Sequence, residues 1–186
     1  YYHSDIGGYT SLGWIKRKKE VFQRWAEFSA FTQIMRSHEG NRPDTSWQFD
    51  TDRGTLRHLA AMTRVYTTLK PYHQALSREY QESGLAPIRP LALHYPDDDR
   101  LKGLKYQYLY GRDLLVAPVV KKGIRRWKLY LPGDNWIGFW NRESYQGPKI
   151  IEVDAPLGKP PVFFRKGSVW EELFQKAALA GEIEPS

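Results

Sequence analysis

Apolar residues recur along this chain in two rhythms. In the first half, Val21, Phe22, Trp25, Phe28 and Phe31 follow one another at helical spacing, which predicts an amphipathic helix with one buried stripe. A second helix is expected from Asp52 or Thr55, with Leu56, Leu59, Met62, Tyr66 and Leu69 on its inner face. Pro71 should kink it or open a new helix at its first turn. Leu76 and Tyr80 carry the stripe on to Gly84, a C-cap signal. Between these patterns, residues 1–6 read as the end of a strand followed by a Gly-Gly turn. Residues 31–35 form a short apolar run that closes at Arg36, Ser37 and His38, residues 41–52 are loop-like, and residues 87–95 return to an extended pattern.

From about Tyr106 the rhythm shortens. DLLVAPVV (113–120), WKLYLP (127–132), KIIEVD (149–154) and PVFFRKGSVW (161–170) are β-rich runs separated by Gly, Pro and Asn turns. Such spacing predicts a sandwich or hairpin assembly. The fold class expected is therefore α/β followed by all-β, divided into residues 1–95 and 96–186. A ragged or helical tail follows Glu171.

Composition narrows this picture only in places. With 41% hydrophobic and 26% charged residues, the chain is globular, and 15% aromatics suit either a ligand-stacking surface or a large core. There is no cysteine, which excludes disulfides, zinc fingers and thiol catalysis and fits a cytoplasmic setting. Neither a bilayer-spanning run nor a signal-peptide pattern is found. The net charge of +7 gathers at Lys16, Arg17, Lys18 and Lys19, at Lys121 and Lys122, and at Arg125 and Arg126. These short clusters read as solvated turns and helix faces rather than a nucleic-acid surface. A non-catalytic carbohydrate- or nucleic-acid-binding module is the alternative from another class.

Several groupings could carry chemistry. GDNW (133–136) offers a carboxylate beside a Trp, yet it lies between two β runs, where Gly-Asp-Asn is turn chemistry. Asp97, Asp98 and Asp99 follow Pro96 and read as a solvated turn rather than a cation site. The histidines include no H-x-x-x-H pair for a metal. His58 and His73 fall in helical patterns as surface or packing residues, and His3 could be a core histidine of the first strand. His38 closes an apolar run; the residues alone leave it between a loop position and a ligand contact.

SDIGGY, FTQIMRSHEGNRP, GLAPIRPLALHYPDD, YQYLYGRDLLVAPVV, YLPGDNWIGFW and DAPLGKPPVFFRKGS occur here in order. Together they resemble glycoside hydrolase family 31, the α-glucosidases and α-xylosidases. The resemblance implies the last strands and helices of a (β/α)8 barrel and then a β-sandwich domain. HSDIGGY would be the seventh barrel strand and FTQIMRSH the eighth with its approach. The N-terminal β domain and the earlier barrel strands would lie upstream of Tyr1 as partners within the same enzyme.

The same resemblance implies a retaining mechanism with two aspartates. Neither aspartate motif occurs in this sequence, so no catalytic residue is assigned and the chain alone is expected to be inactive. It also implies substrate-binding roles for His38, on a hydroxyl of the sugar being cleaved, and for Asp5, lining or bracing the pocket. Tyr9, where α-glucosidases carry Phe, and the HEGNRP text after His38 resemble the sulfoquinovosidase branch, in which this Tyr helps hold the sulfonate. The implied partner is a small α-glycoside, sulfonated, with no cofactor, metal, membrane or nucleic acid; homo-oligomerisation stays open.

Overall fold

The structure, a computed structural model, describes residues 3–182. Tyr1 and Tyr2 of the expected first strand and the last residues of the tail (183–186) lie outside the described residues.

The helical rhythm yields three consecutive helices. α1 (Lys19–Ser29) turns Phe22 and Ala26 into the core. α2 (Arg53–Thr68) starts where the Asp52 carboxylate accepts the Thr55 N–H at 2.6 Å, satisfying one of the amides that the first helical turn leaves unpaired. α3 (Lys70–Ser83) takes Pro71 in its first turn, where a missing amide costs nothing, and ends at Gly84 with a left-handed φ of 75°. A fourth helix, α4 (Glu171–Ala180), forms the tail, the helical one of its two expected forms.

The inner face of α2 follows the expected stripe only in part: Met62 and Leu69 are buried and Leu59 packs against the core. Thr55, His58, Ala61, Met62 and Val65 are buried, whereas Leu56 is 47% exposed. The helix is wedged between α1 and α4, and close approach on two sides brings the small Thr55 and Ala61 inward while Leu56 turns out.

Among the described residues eight strands follow: β1 (Ile88–Arg89), β2 (Tyr108–Tyr110), β3 (Leu114–Val116), β4 (Arg126–Leu131), β5 (Asn135–Gly138), β6 (Ser144–Gln146), β7 (Lys149–Asp154) and β8 (Val162–Arg165). Six form an antiparallel sheet in the order β1-β2-β3-β8-β5-β6, and β4 pairs with β7 in a second sheet. The strands of the six-stranded sheet alternate between two cores. Tyr110, Leu114, Val116, Ile137, Val162 and Phe164 face the helices. Leu109, Leu115, Trp136 and Phe163 face the opposite way, toward Leu129, Tyr130 and Leu131 of β4. This is the pleat's period of two, written in apolar residues on both faces because both are covered. One layer of helices thus backs a sandwich.

Of these strands, β2, β5 and β6 were not among the expected β runs. The GDNW stretch is a bend only at Gly133 and Asp134; Asn135 and Trp136 already belong to β5. Asp134 is a structural acceptor for Arg165 Nε at 2.8 Å and the Tyr95 hydroxyl at 3.2 Å. Asp98 likewise caps a short 3-10 turn (Asp99–Leu101) and accepts the Tyr130 hydroxyl. It is therefore more than a solvated turn residue.

α4 returns from the sheet to the helical layer. Its Phe174 ring lies 5.1 Å from Tyr72 and 5.6 Å from Phe164, and the Ala180 carbonyl accepts from Arg64 Nε at 2.7 Å. The aromatic wealth of the chain is spent largely here, with Tyr72, Tyr110, Phe31, Phe139 and Phe164 all buried.

Two polar networks cross between helices and sheet region. Glu27, 1% exposed, accepts from Arg24 Nη1 (3.0 Å), the Gly158 amide (2.6 Å) and His58 Nε2 (3.1 Å). Arg24 Nη2 reaches the carbonyls of Ile124 and Ala155, both at 2.8 Å. His73 donates from Nε2 to the Tyr66 carbonyl (3.0 Å), so its Nδ1 accepts the Tyr110 hydroxyl (2.6 Å). Burial pushes the His73 pKa down to about 4. Both His58 and His73 are thus buried linkers rather than surface residues. Among the described residues, no helix is long and apolar enough to cross a membrane.

Candidate functional site

The sequence-predicted site residues sit on two short segments that run side by side. Ile6 and Ser37 form a single parallel bridge, with the Ile6 N–H donating to the Arg36 carbonyl at 2.9 Å. The FTQIMRSH segment is therefore mostly irregular, and strand character is confined to this bridge. After Ile6 the chain turns sharply: the Gly8 N–H donates to the Asp5 carbonyl at 2.8 Å, with Gly7 at φ 82° and Gly8 at φ 78°. Two successive left-handed positions call for glycine. A Cβ on Gly7 would also fall 2.2 Å from Arg17 Cδ.

The turn delivers Tyr9 beside His38. Their rings meet edge to face, centroids 5.0 Å apart at 76°, a favoured aromatic arrangement. Tyr9 is 49% exposed. The Gly40 N–H donates to His38 Nδ1 at 3.0 Å. Nδ1 must then be the acceptor, so the neutral ring carries its proton on Nε2 and offers a donor there. Asp5 pairs with Arg36, Oδ1 to Nε at 3.0 Å, and is the more covered partner.

The residues after His38 hold the Tyr9 segment. Asn41 donates its backbone N–H to the Tyr9 carbonyl (3.1 Å), while its side chain accepts the Ser11 N–H (2.7 Å) and donates to the Ser11 carbonyl (3.2 Å). Gly40, at φ 87°, lets this happen, since a Cβ there would lie 2.9 Å from the Tyr9 carbonyl oxygen. Tyr9 and the Gly-Asn pair of HEGNRP, two separate signals in the sequence, are one structural unit.

Arg17 departs most from expectation. Its neighbours Lys16 and Lys18 are exposed, but Arg17 is 7% exposed and lies beneath the rim. Desolvation lowers its pKa from the ordinary value, against the pull of Asp5. The KRKK text carries no local signal of this, because its partners lie 9 to 31 residues away. His3 is exposed rather than a core residue. Among the described residues, no group of His, Asp and Glu could hold a metal.

Cavities of about 530, 550 and 610 Å³ lie elsewhere among the described residues: between α1 and residues 106–122, along α2 and α3, and at the sandwich edge around Trp140 and Tyr145. None is lined by Asp5, Tyr9 or His38.

Comparisons with known proteins bear on the family and the fold. The glycosyl hydrolases family 31 TIM-barrel domain matches residues 1–75, and the glycosyl hydrolase family 31 C-terminal domain matches residues 84–170. A sulfoquinovosidase of Escherichia coli strain K12 is 56% identical over 93% of this chain and 25% of its own length. One from Agrobacterium fabrum is 46% identical over 97% of this chain and 27% of its own. The solved structure of a GH31 family sulfoquinovosidase from E. rectale, in complex with the aza-sugar inhibitor IFGSQ, superposes with a TM-score of 0.92. It is 46% identical, over 95% of this chain and 26% of that one. The chain thus spans about a quarter of the length of these relatives. Two domain matches from one family, in order along nearly the whole sequence, and the superposed fold show that this chain belongs to glycoside hydrolase family 31.

Proposed function

We propose that this chain is the rim-bearing part of a retaining α-glycoside hydrolase that releases sulfoquinovose from α-sulfoquinovosides. The observation that carries the reading is the Tyr9–His38 pair, meeting at 5.0 Å at the ends of two bridged segments. With Nδ1 committed to Gly40, His38 presents Nε2–H as a donor to a sugar hydroxyl. Tyr9 adds a phenol O–H, a donor that Phe lacks, suited to a sulfonate that is always anionic. Asp5, paired with Arg36, braces the start of the turn and limits how far the rim can shift. The likeness to three sulfoquinovosidases supports the same substrate class.

In a retaining mechanism, one carboxyl attacks the anomeric carbon while the other protonates the leaving oxygen and later activates water. Both carboxylates belong to the rest of the enzyme in this reading, and residues 3–182 alone are expected to hydrolyse nothing. Donors at the rim contribute to rate where their bonds strengthen in the transition state. The domain division is part of the same proposal, and the pairing of β1 into the six-stranded sheet favours a junction nearer Gly84 than residue 95.

The test is substrate preference of the full-length enzyme. It should release nitrophenol from the α-sulfoquinovoside far faster than from the α-glucoside; the reverse order would make it an α-glucosidase or α-xylosidase. Tyr9→Phe should cost the sulfonated substrate about 1–2 kcal/mol of transition-state binding, roughly 5- to 30-fold in kcat/KM. Equal losses on the neutral glucoside would remove the sulfonate role.

A further inference from the structure

The guanidinium of Arg17 is held by six acceptors, five of them backbone carbonyls. Nε donates to Trp47 O at 2.7 Å; Nη1 to His38 O at 2.8 Å, Gly8 O at 3.1 Å and Ile6 O at 3.4 Å. Nη2 donates to Glu39 O at 3.2 Å and to the Gln48 side-chain oxygen at 2.6 Å. Arginine has five N–H groups in a planar fork, and this ring of acceptors consumes them. Gln48 closes the ring by donating back to the Glu39 carbonyl at 2.8 Å, and the Trp47 N–H returns to the Arg17 carbonyl at 2.9 Å. Ile6 and Gly8 belong to the turn that delivers Tyr9, and His38 and Glu39 to the segment that delivers the imidazole. One side chain therefore holds both segments by their backbones.

We propose that Arg17 is the positioning residue of the substrate rim, locking the Tyr9-bearing turn and the His38-bearing segment in one register so that both side chains meet the same sugar. The inference rests on the reading of Tyr9 and His38 as substrate contacts. Arg17 is not itself a ligand for the sulfonate, since its donors are occupied and it lies on the backbone side of the rim. Lysine cannot substitute: its three donors on a single nitrogen cannot span acceptors from three loops. The glycine at position 7 is the complementary feature, leaving room for the arginine stem.

The experiment uses the full-length enzyme with Arg17→Met and Arg17→Lys, and two readouts. Kinetic constants are normalised to active sites titrated with a covalent inactivator, and amide exchange is followed over residues 38–48. Displacing reacting contacts by about an ångström costs about 100-fold. Arg17→Met should therefore lose about 100-fold in kcat/KM per titrated site, with kcat falling as well as KM rising. Arg17→Lys should recover only a small part of that, and added guanidinium should restore activity to Arg17→Met. Exchange at Gly40 and Asn41 should quicken in both variants. A merely structural role would lower the titrated fraction and leave the constants of the surviving sites unchanged; that result, or unchanged exchange, overturns the proposal. Should Arg17→Met fail to fold, Arg17→Lys decides by the same two readouts. If the wild type prefers a neutral α-glycoside, the substrate reading falls, and Arg17 is judged on that glycoside and on exchange.

Discussion

At the rim, a single arginine ties three loops together through their carbonyls, and the side chains above it stand half in solvent. Beneath, the helices and the six-stranded sheet share a core of aromatic and aliphatic side chains, crossed by the Glu27 and His73 networks. The contrast is sharpest between two of the buried arginines, Arg24 and Arg17. Arg24 has a carboxylate partner in Glu27 at 3.0 Å and joins α1 to residues 124 and 155, so it acts on the fold. Arg17 is bonded to carbonyls and an amide, so it acts on loop shape. Regions with few apolar contacts and much backbone near solvent open locally at little cost. Rim changes should therefore show in rate, and interface changes in stability.

The largest effect should come from the interface. Glu27→Ala leaves the Arg24 charge and the Gly158 amide without their buried acceptor, which costs about 3–5 kcal/mol. Denaturant unfolding of the full-length enzyme measures it, and the kinetic constants of the folded fraction should stay near wild type. A rate loss per site exceeding the stability loss would erase the distinction between the two regions.

The next effect is in pH. Native His73 stays neutral down to about 4, whereas an unfolded histidine binds its proton near 6.5. Between those values the unfolded state holds more protons. Stability is therefore fully present above about pH 6.5 and is lost as pH falls toward 4, by roughly 3 kcal/mol. His73→Gln should flatten the stability profile in that window; an unchanged slope would show that the proton uptake lies elsewhere.

Gly40→Ala should be the mildest in stability and reverse the pattern. A left-handed alanine costs about 1–2 kcal/mol, and its Cβ presses on the Tyr9 carbonyl, so kcat/KM should fall by about tenfold or more. Stability loss without rate loss would separate the Gly40 contact from the site.

The sequence made the interface more readable than the rim. Helical spacing from Val21, the Asp52 cap, Pro71 and Gly84 are local signals, and α1, α2 and α3 lie close to where those residues placed them. β7 occupies the same residues as the KIIEVD run. Signals failed where tertiary packing decided. On α2, Leu56 turns outward and Thr55, Ala61 and Val65 join Met62 on the inner face, because α1 and α4 approach the helix on two sides. β5 begins within the GDNW turn text because Trp136 packs against the second core, which no local period announces. Arg17 is the extreme case: it shares its charge and sequence setting with the exposed Lys16 and Lys18, and its burial is set by partners far along the chain. Tyr9, His38 and Asp5 entered through resemblance rather than periodicity. Their mutual placement depends on a parallel bridge between residues 31 positions apart.

The path of the chain through α4 has a consequence for engineering. It leaves the helical layer after Gly84, builds both sheets, and comes back so that Phe174 lies between Tyr72 and Phe164. A transplant that spliced another protein's sheets onto this helical layer at Gly84 would have to supply its own closing helix. That helix would need an aromatic ring shaped to the pocket left at Tyr72, so the joint is sealed from the far end of the donor piece, well away from the splice.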